Sequence, residues 1–293
     1  MEKIKAADFR VTEGISLSDI PTKIDIGASE DKVIKKLAKT RQKLSSMQDV
    51  MYAHKKYNVL VCFQGMDTSG KDSLIREVFR EFNPRGVEVQ SFKTPTSAEL
   101  EHDYLWRHYI RLPEKGKFGV FNRSHYENVL ISRVHPEYVL GEDIPGIESV
   151  EDIPKDFWKK RLREIRNFES HLVNNGTIIM KFFLHISKEE QRERLLRRLD
   201  EEKHNWKFSP DDLKERDCWE AYQEFYEEAI NETSVRQAPW FIIPADDKDV
   251  ARLITAKIIR QEMKQYKDIT EPELSDEVKD RIAFYRKKLG EGK

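Results

Sequence analysis

Residues 58–73 read Asn58-Val59-Leu60-Val61-Cys62-Phe63-Gln64-Gly65-Met66-Asp67-Thr68-Ser69-Gly70-Lys71-Asp72-Ser73. An apolar run of strand length passes directly into a glycine loop, and residues 74–80 continue at helical spacing. In that context of strand, loop and helix, Gly65-x4-Gly70-Lys71 has the spacing of a phosphate-binding P-loop. The glycines let the backbone wrap an anion, the loop N–H groups point inward, and the helix dipole favours negative charge. Lys71 then reaches the bridging and terminal phosphate oxygens. The other reading of these residues is a tight strand-to-helix turn with a surface lysine. One position departs from the ordinary pattern: the residue after the lysine, commonly Ser or Thr and a magnesium ligand, is Asp72, with Ser73 one place later. Asp67 is the natural replacement, because a hard divalent cation prefers carboxylate oxygen. Hydrogen bonding to the loop backbone is the other use open to it.

On either side of this segment, short apolar runs alternate with charged helical stretches. Candidate strands at 58–64, 87–92, 117–122, 177–186 and 240–244 predict a doubly wound α/β domain with a five-stranded parallel sheet. The third run ends in Asn122-Arg123-Ser124-His125-Tyr126-Glu127, at the strand edge where open α/β sheets bind ligands. Asn122 removes a negative charge beside the phosphates and Arg123 adds a positive one. Glu127 could return a carboxylate to the metal or lie on a helix surface. Residues 1–29 read as an extended arm that covers part of the molecule, and one amphipathic helix is predicted over 29–57 on Val33, Leu37, Leu44, Met47 and Met51. The chain thus divides into an arm and helix at 1–57 and a P-loop domain at 58–293. Within the latter, residues 187–233 form a charged helical insert that reads as a mobile lid. Ser187-Lys188-Glu189-Glu190 has the form of a capping box at its start.

With 52 Lys and Arg against 53 Asp and Glu, charge is plentiful but the formal net charge is only -1. A hydrophobic fraction of 38% over 293 residues excludes a disordered chain and a disulfide-stapled miniature. The balance argues against general binding of nucleic acid or membrane surfaces, which use a long-range positive field. No apolar run approaches membrane-spanning length, the N-terminus carries no secretory pattern, and Cys62 and Cys218 form no paired motif. A reducing cytoplasm is the expected location.

Taken together, the motifs resemble the type-2 polyphosphate kinase family, whose loop reads GxDxxGK and whose second motif is an acidic or amide residue followed by Arg-Ser. Further matching positions are Phe92-Lys93-Thr94-Pro95-Thr96, Trp206-Lys207-x-Ser209, Asp217-x-Trp219-x-x-Tyr222, Ala238-Pro239-Trp240 and Asp246-Asp247-Lys248. The form Asn122 to Glu127, with Arg133-Val134-His135-Pro136 after it, resembles the class III subgroup, which phosphorylates nucleoside mono- and diphosphates. The resemblance implies a P-loop kinase fold close to thymidylate kinase, with inorganic polyphosphate as donor and AMP and ADP, or their guanine counterparts, as acceptors. By motif position, the loop from Gly65 to Ser73 and Lys71 would hold donor phosphates. Asp67, with Glu127, would organise Mg2+ or Mn2+. Asn122 would stand at the centre, and Arg123 and Arg133 would grip phosphates near the transfer point. Lys93, Thr94 and Pro95, with Arg133, would serve the acceptor. Arg194 and Arg198, one helical turn apart, would close over the transferring group. A homodimer or homotetramer is expected. Two rival expectations stand beside this one: an ATP-dependent nucleoside or nucleotide kinase, and a non-catalytic P-loop switch.

Overall fold

The computed structural model describes residues 3–206 and 208–291, with His204 described by its backbone alone. Lys207, expected in the lid turn, lies outside the described residues. Five strands, β1 (Asn58–Gln64), β2 (Val87–Ser91), β3 (Phe118–Asn122), β4 (Thr177–His185) and β5 (Trp240–Pro244), form one parallel sheet in the order β2-β3-β1-β4-β5. The helices in chain order are α1 (Glu30–His54), α2 (Lys71–Val78), α3 (Ser97–Leu100), α4 (Trp106–Tyr109), α5 (Ile131–Val134) and α6 (Phe157–Asn174). After them come α7 (Lys188–Asp200), α8 (Glu202–Asn205), α9 (Asp211–Asp217), α10 (Trp219–Thr233), α11 (Lys248–Met263) and α12 (Asp276–Gly290).

Every residue of β1 and β4 is buried, as their near-continuous apolar runs require of strands covered on both faces. β1 pairs with β3 through Val59–Phe118 to Phe63–Asn122 and with β4 through Asn58–Thr177 to Gln64–Phe183. Its carboxyl end therefore opens at the point where strand order reverses, which is where a doubly wound sheet leaves a crevice. Phe63, Phe182 and Phe241 stack across β1, β4 and β5, with centroids 5.2 and 5.3 Å apart.

The first segment does cover part of the molecule, and what it covers is the edge of β5. Val11 N donates to Trp240 O at 2.9 Å and Ile242 N donates to Phe9 O at 2.9 Å, closing an edge that would otherwise expose unpaired backbone groups. Helix α1 ends at His54, three residues short of the expected end, because Lys55 adopts a left-handed conformation with φ 57°. Its buried Val33, Leu37, Leu44 and Met51 lie along one face, packed against α11. Ser187 caps α7 by accepting from Glu190 N at 3.0 Å. The reciprocal half of the expected capping box is not made, since the Glu190 carboxylate is engaged by Arg194 and Arg197 at 2.7 and 3.2 Å. Among the described residues, no helix is long and apolar enough to cross a membrane.

Candidate active site

The loop between β1 and α2 takes its shape from two glycines. Gly65 has φ 149°, and a Cβ there would stand 2.9 Å from both Leu184 O and Ser69 Oγ. Gly70, with φ 98°, turns the chain into α2. Lys71 begins that helix and folds back over the loop, donating from Nζ to Gly65 O at 2.6 Å and Met66 O at 3.2 Å. Burial, and then the nearby Arg123 guanidinium, lower the Lys71 pKa against the opposing pull of Asp67, Glu127 and Asp72.

Across the crevice, β3 delivers its own terminus. Asn122 Nδ2 donates to Asp72 Oδ1 at 2.5 Å and to Ser91 Oγ at 3.3 Å, tying the ends of β2 and β3 to the first turn of α2. Arg123 has φ 63°, a left-handed backbone that a non-glycine residue adopts at a cost, and its N–H donates to Phe63 O at 3.0 Å. Its Nη2 donates to Asp67 Oδ1 at 3.2 Å. Burial works against the Arg123 charge, but Glu127 and then Asp67 outweigh it and raise its pKa. Burial likewise raises the Glu127 carboxyl, opposed by Arg123 and Lys71. The fold thus brings Lys71, Asp67, Arg123 and Glu127 into one electrostatically coupled cluster.

Beside this cluster lies a cavity of about 320 Å³, walled by Phe92, Lys93, Thr94 and Pro95 after β2 and by Arg123 and Glu127 after β3. Arg133, expected on the acceptor side, is outside this lining. It pairs with Glu228 on α10 at 2.5 Å and stacks over Phe225 at 4.1 Å. Arg194 is 5% exposed and faces the loop's outer surface. Its Nη1 donates to Thr68 O and Ser69 O at 3.0 and 2.9 Å, its Nη2 to Ala245 O and Asp246 O at 2.6 and 3.1 Å, and its Nε to Glu190. Arg198 pairs with Asp212 of α9 at 2.8 Å.

Three contributors carried no expectation. Gln191 Nε2 donates to Asp67 O at 3.2 Å, fixing the carboxylate-bearing residue from the insert side. Tyr226, 4% exposed, is coupled to Glu127 and Asp67 and bonds the Gly65 backbone. Its four-residue spacing from Tyr222 marks a buried helix face, but core packing produces the same pattern. Arg107 lines the cavity, donates from Nη2 to Lys93 O at 2.8 Å and lies 5.3 Å from the Phe92 ring centroid. It sits in a short helix of one turn, where no periodicity singles it out.

Among the described residues there is no group of three or more His, Cys, Asp or Glu that could hold a metal unaided. Asp67 and Glu127 nonetheless offer the carboxylate oxygens that a hard divalent cation accepts, the rest of such a cation's shell coming from water and substrate phosphate oxygens.

Comparison with known proteins adds to this geometry. Residues 27–271 match the family Polyphosphate kinase 2 (PPK2). An ADP-polyphosphate phosphotransferase of Rhodopseudomonas palustris is 48% identical over 268 residues, 90% of this chain and 92% of the relative. An AMP/ADP-polyphosphate phosphotransferase of Meiothermus ruber is 48% identical over 210 residues, covering 72% of this chain and 73% of that one. The crystal structure of Polyphosphate Kinase 2 from Arthrobacter aurescens superposes with a TM-score of 0.87 at 32% identity, over 98% of this chain and 99% of that one. The family match over residues 27–271, with a structural likeness that spans nearly the whole chain and this five-stranded sheet, makes the protein a member of the type-2 polyphosphate kinase family.

Proposed function

We propose that the protein is a magnesium-dependent phosphotransferase of the cytoplasm that moves phosphate from inorganic polyphosphate to AMP and ADP, forming ADP and ATP, with the reverse reaction accessible. The observation that carries this reading is the coupled cluster of Lys71, Asp67, Arg123 and Glu127, set between the phosphate loop and a cavity walled by Lys93, Thr94 and Pro95. The names of the relatives, with ADP alone in one and AMP and ADP in the other, support the choice of substrates.

In this reading a polyphosphate end lies on the loop amides and Lys71, while the acceptor occupies the cavity. An oxygen of the acceptor's terminal phosphate attacks the end phosphorus of the chain. A new P–O–P bond forms as the bridging P–O bond to the next phosphate breaks, and a chain one unit shorter leaves with the electron pair. An acceptor phosphate has a second pKa of about 6, so it is ionised near neutrality and needs no side chain to remove a proton. The protein's contribution is alignment and positive charge along the in-line path. Lys71 and Arg123 carry that charge, and Asn122 holds Asp72 at the start of α2 without adding an anion. Arg194 acts on the loop, because its guanidinium is occupied by the carbonyls of Thr68 and Ser69. Asp67 and Glu127 would hold a magnesium ion, which would supply further neutralisation of the phosphate oxygens.

Incubation with AMP, polyphosphate and magnesium, followed by separation of nucleotides, is expected to yield ADP and then ATP. Transfer from ATP alone to an acceptor, with none from polyphosphate, would replace this reading by an ATP-dependent kinase.

A further inference from the structure

Two residues beyond Arg123 the chain enters a set of buried polar groups bonded to one another, with His125 Nδ1 alone among the ring atoms left without a partner. Glu169 on α6, 1% exposed, accepts through Oε1 from His125 Nε2 at 3.1 Å and from the Tyr126 hydroxyl at 2.9 Å. Its Oε2 accepts from Lys181 Nζ at 2.5 Å. Lys181, fully buried in β4, donates also to Tyr126 Oη and to Thr233 O, both at 2.9 Å. Thr233 Oγ1 donates to Ala229 O and accepts from Trp240 Nε1 of β5 at 2.9 Å. Every donor of the ammonium and both carboxylate oxygens are thereby satisfied.

Burial by itself would raise the Glu169 pKa, but the Lys181 ammonium and the His125 bond outweigh it and hold the carboxyl below the usual range. An ionised carboxylate only accepts, so it fixes the His125 imidazole with hydrogen on Nε2 and, together with Thr233 Oγ1 at 2.8 Å, draws the Tyr126 hydroxyl hydrogen. A buried ion pair is a weak source of stability, since desolvation offsets the attraction. Stability alone is therefore a poor reason for a lysine in the centre of β4. The placement supplies another. Arg123 is held on its amino side by Phe63 O, and its left-handed backbone must be held on its carboxyl side as well. On that side stand His125 and Tyr126, both fastened to Glu169.

We propose that Glu169 is a positioning residue for phosphoryl transfer, fastening residues 125 and 126 so that Arg123 faces Lys71 and Asp67. This rests on the transfer site proposed above. Removing both charges together, as Glu169→Leu with Lys181→Met, avoids an uncompensated buried ion and so keeps the fold measurable. The double replacement is expected to lower kcat about ten-fold or more, with the KM for polyphosphate changed by less than about three-fold. If Glu169 acts through Arg123, the same replacement in an Arg123→Ala background should cost less than about two-fold further, because residues that act as a unit are not additive. Retention of the parental kcat by the double replacement overturns the proposal, as does a full multiplicative loss on top of Arg123→Ala. Should the double replacement not fold, Tyr126→Phe deletes one hydroxyl and leaves the ion pair in place. It is expected to lower kcat about three-fold, with that loss vanishing in the Arg123→Ala background, and an unchanged kcat overturns the proposal. Arg123→Ala at the parental rate would instead refute the transfer-site reading, and this proposal with it.

Discussion

Arg194→Ala tests whether the insert's buried arginine serves the loop or the transferring phosphate. The guanidinium spans two pieces of backbone, Thr68 O and Ser69 O in the P-loop and Ala245 O and Asp246 O after β5, so truncation orphans four carbonyls. A buried acceptor left without its partner costs about 1–3 kcal/mol. Water entering the vacated volume recovers part of that, since the site is polar on both sides. The net loss should be about 3 kcal/mol, at the low end of what breaking a buried charge network costs. At about 2–4 °C per kcal/mol for a chain of this size class, melting should fall by about 6–12 °C. Arg194→Lys should recover only part of the loss, because an ammonium cannot bridge two separated pairs of carbonyls. The assay is thermal unfolding beside initial rates at saturating AMP with polyphosphate varied. A loosened loop predicts a raised KM for polyphosphate together with the lower melting temperature. Arg198→Ala, whose ion pair with Asp212 lies in a more open setting, should move melting by less than half as much. An Arg194→Ala protein that melts within about 1 °C of the parent while losing kcat would refute the reasoning and return the residue to the transferring group.

Lys71→Ala should reduce transfer by about 10³-fold or more, read as nucleotide formation under saturating substrates, since it removes a preorganised charge at the donor phosphates. Asn122→Asp replaces the 2.5 Å donation to Asp72 by two facing carboxylates, and the pair should either hold a proton or draw in a second cation. The measurable outcome is a changed magnesium dependence or a changed ratio of AMP to ADP use. Cys62 is buried with its thiol pKa pushed well above the usual value by burial, so almost no thiolate forms near neutral pH and a disulfide reagent should miss it in the native protein. Partly exposed Cys218 should react slowly, and denaturation should release both thiols at once.

The fold was legible where periodicity and punctuation agree. The apolar run of β1 ending at Gly65 fixes a strand, a loop and a helix within one short stretch of chain, and the other four strands fall within a residue or two of their apolar runs. Contacts made by backbone alone leave no such trace. That the first segment closes the edge of β5 depends on Phe9 O and Val11 N, and no side-chain pattern encodes a carbonyl or an amide. Lys181 did leave a signal, a lysine inside an otherwise apolar strand, but its partner Glu169 lies twelve residues earlier on a helix of mixed charge, where nothing distinguishes it. Arg194 illustrates a different limit. Its spacing from Arg198 locates a helix face, yet a phosphate oxygen and a backbone carbonyl ask for the same donor, so spacing cannot tell a ligand from a loop.

Net charge misleads in this protein for a reason visible at the site. Lys71 and Arg123 stand among Asp67, Glu127 and Asp72, so even the cluster that would receive polyphosphate is close to neutral before anything binds. The insert repeats the arrangement, with Arg192 on Glu189 at 2.5 Å and Lys188 on Glu220 at 3.0 Å. Fields of such pairs cancel within a few ångströms and are screened beyond about 8–10 Å. A chain of net charge -1 can therefore hold a polyanion without attracting one from a distance. Recognition then depends on short-range geometry: loop amides that require Gly65, and an arginine whose backbone is held left-handed so that it faces the crevice. Composition averages over these local arrangements. For this reason the motif at residues 65–71 carried more information about function than the balance of 52 basic against 53 acidic residues.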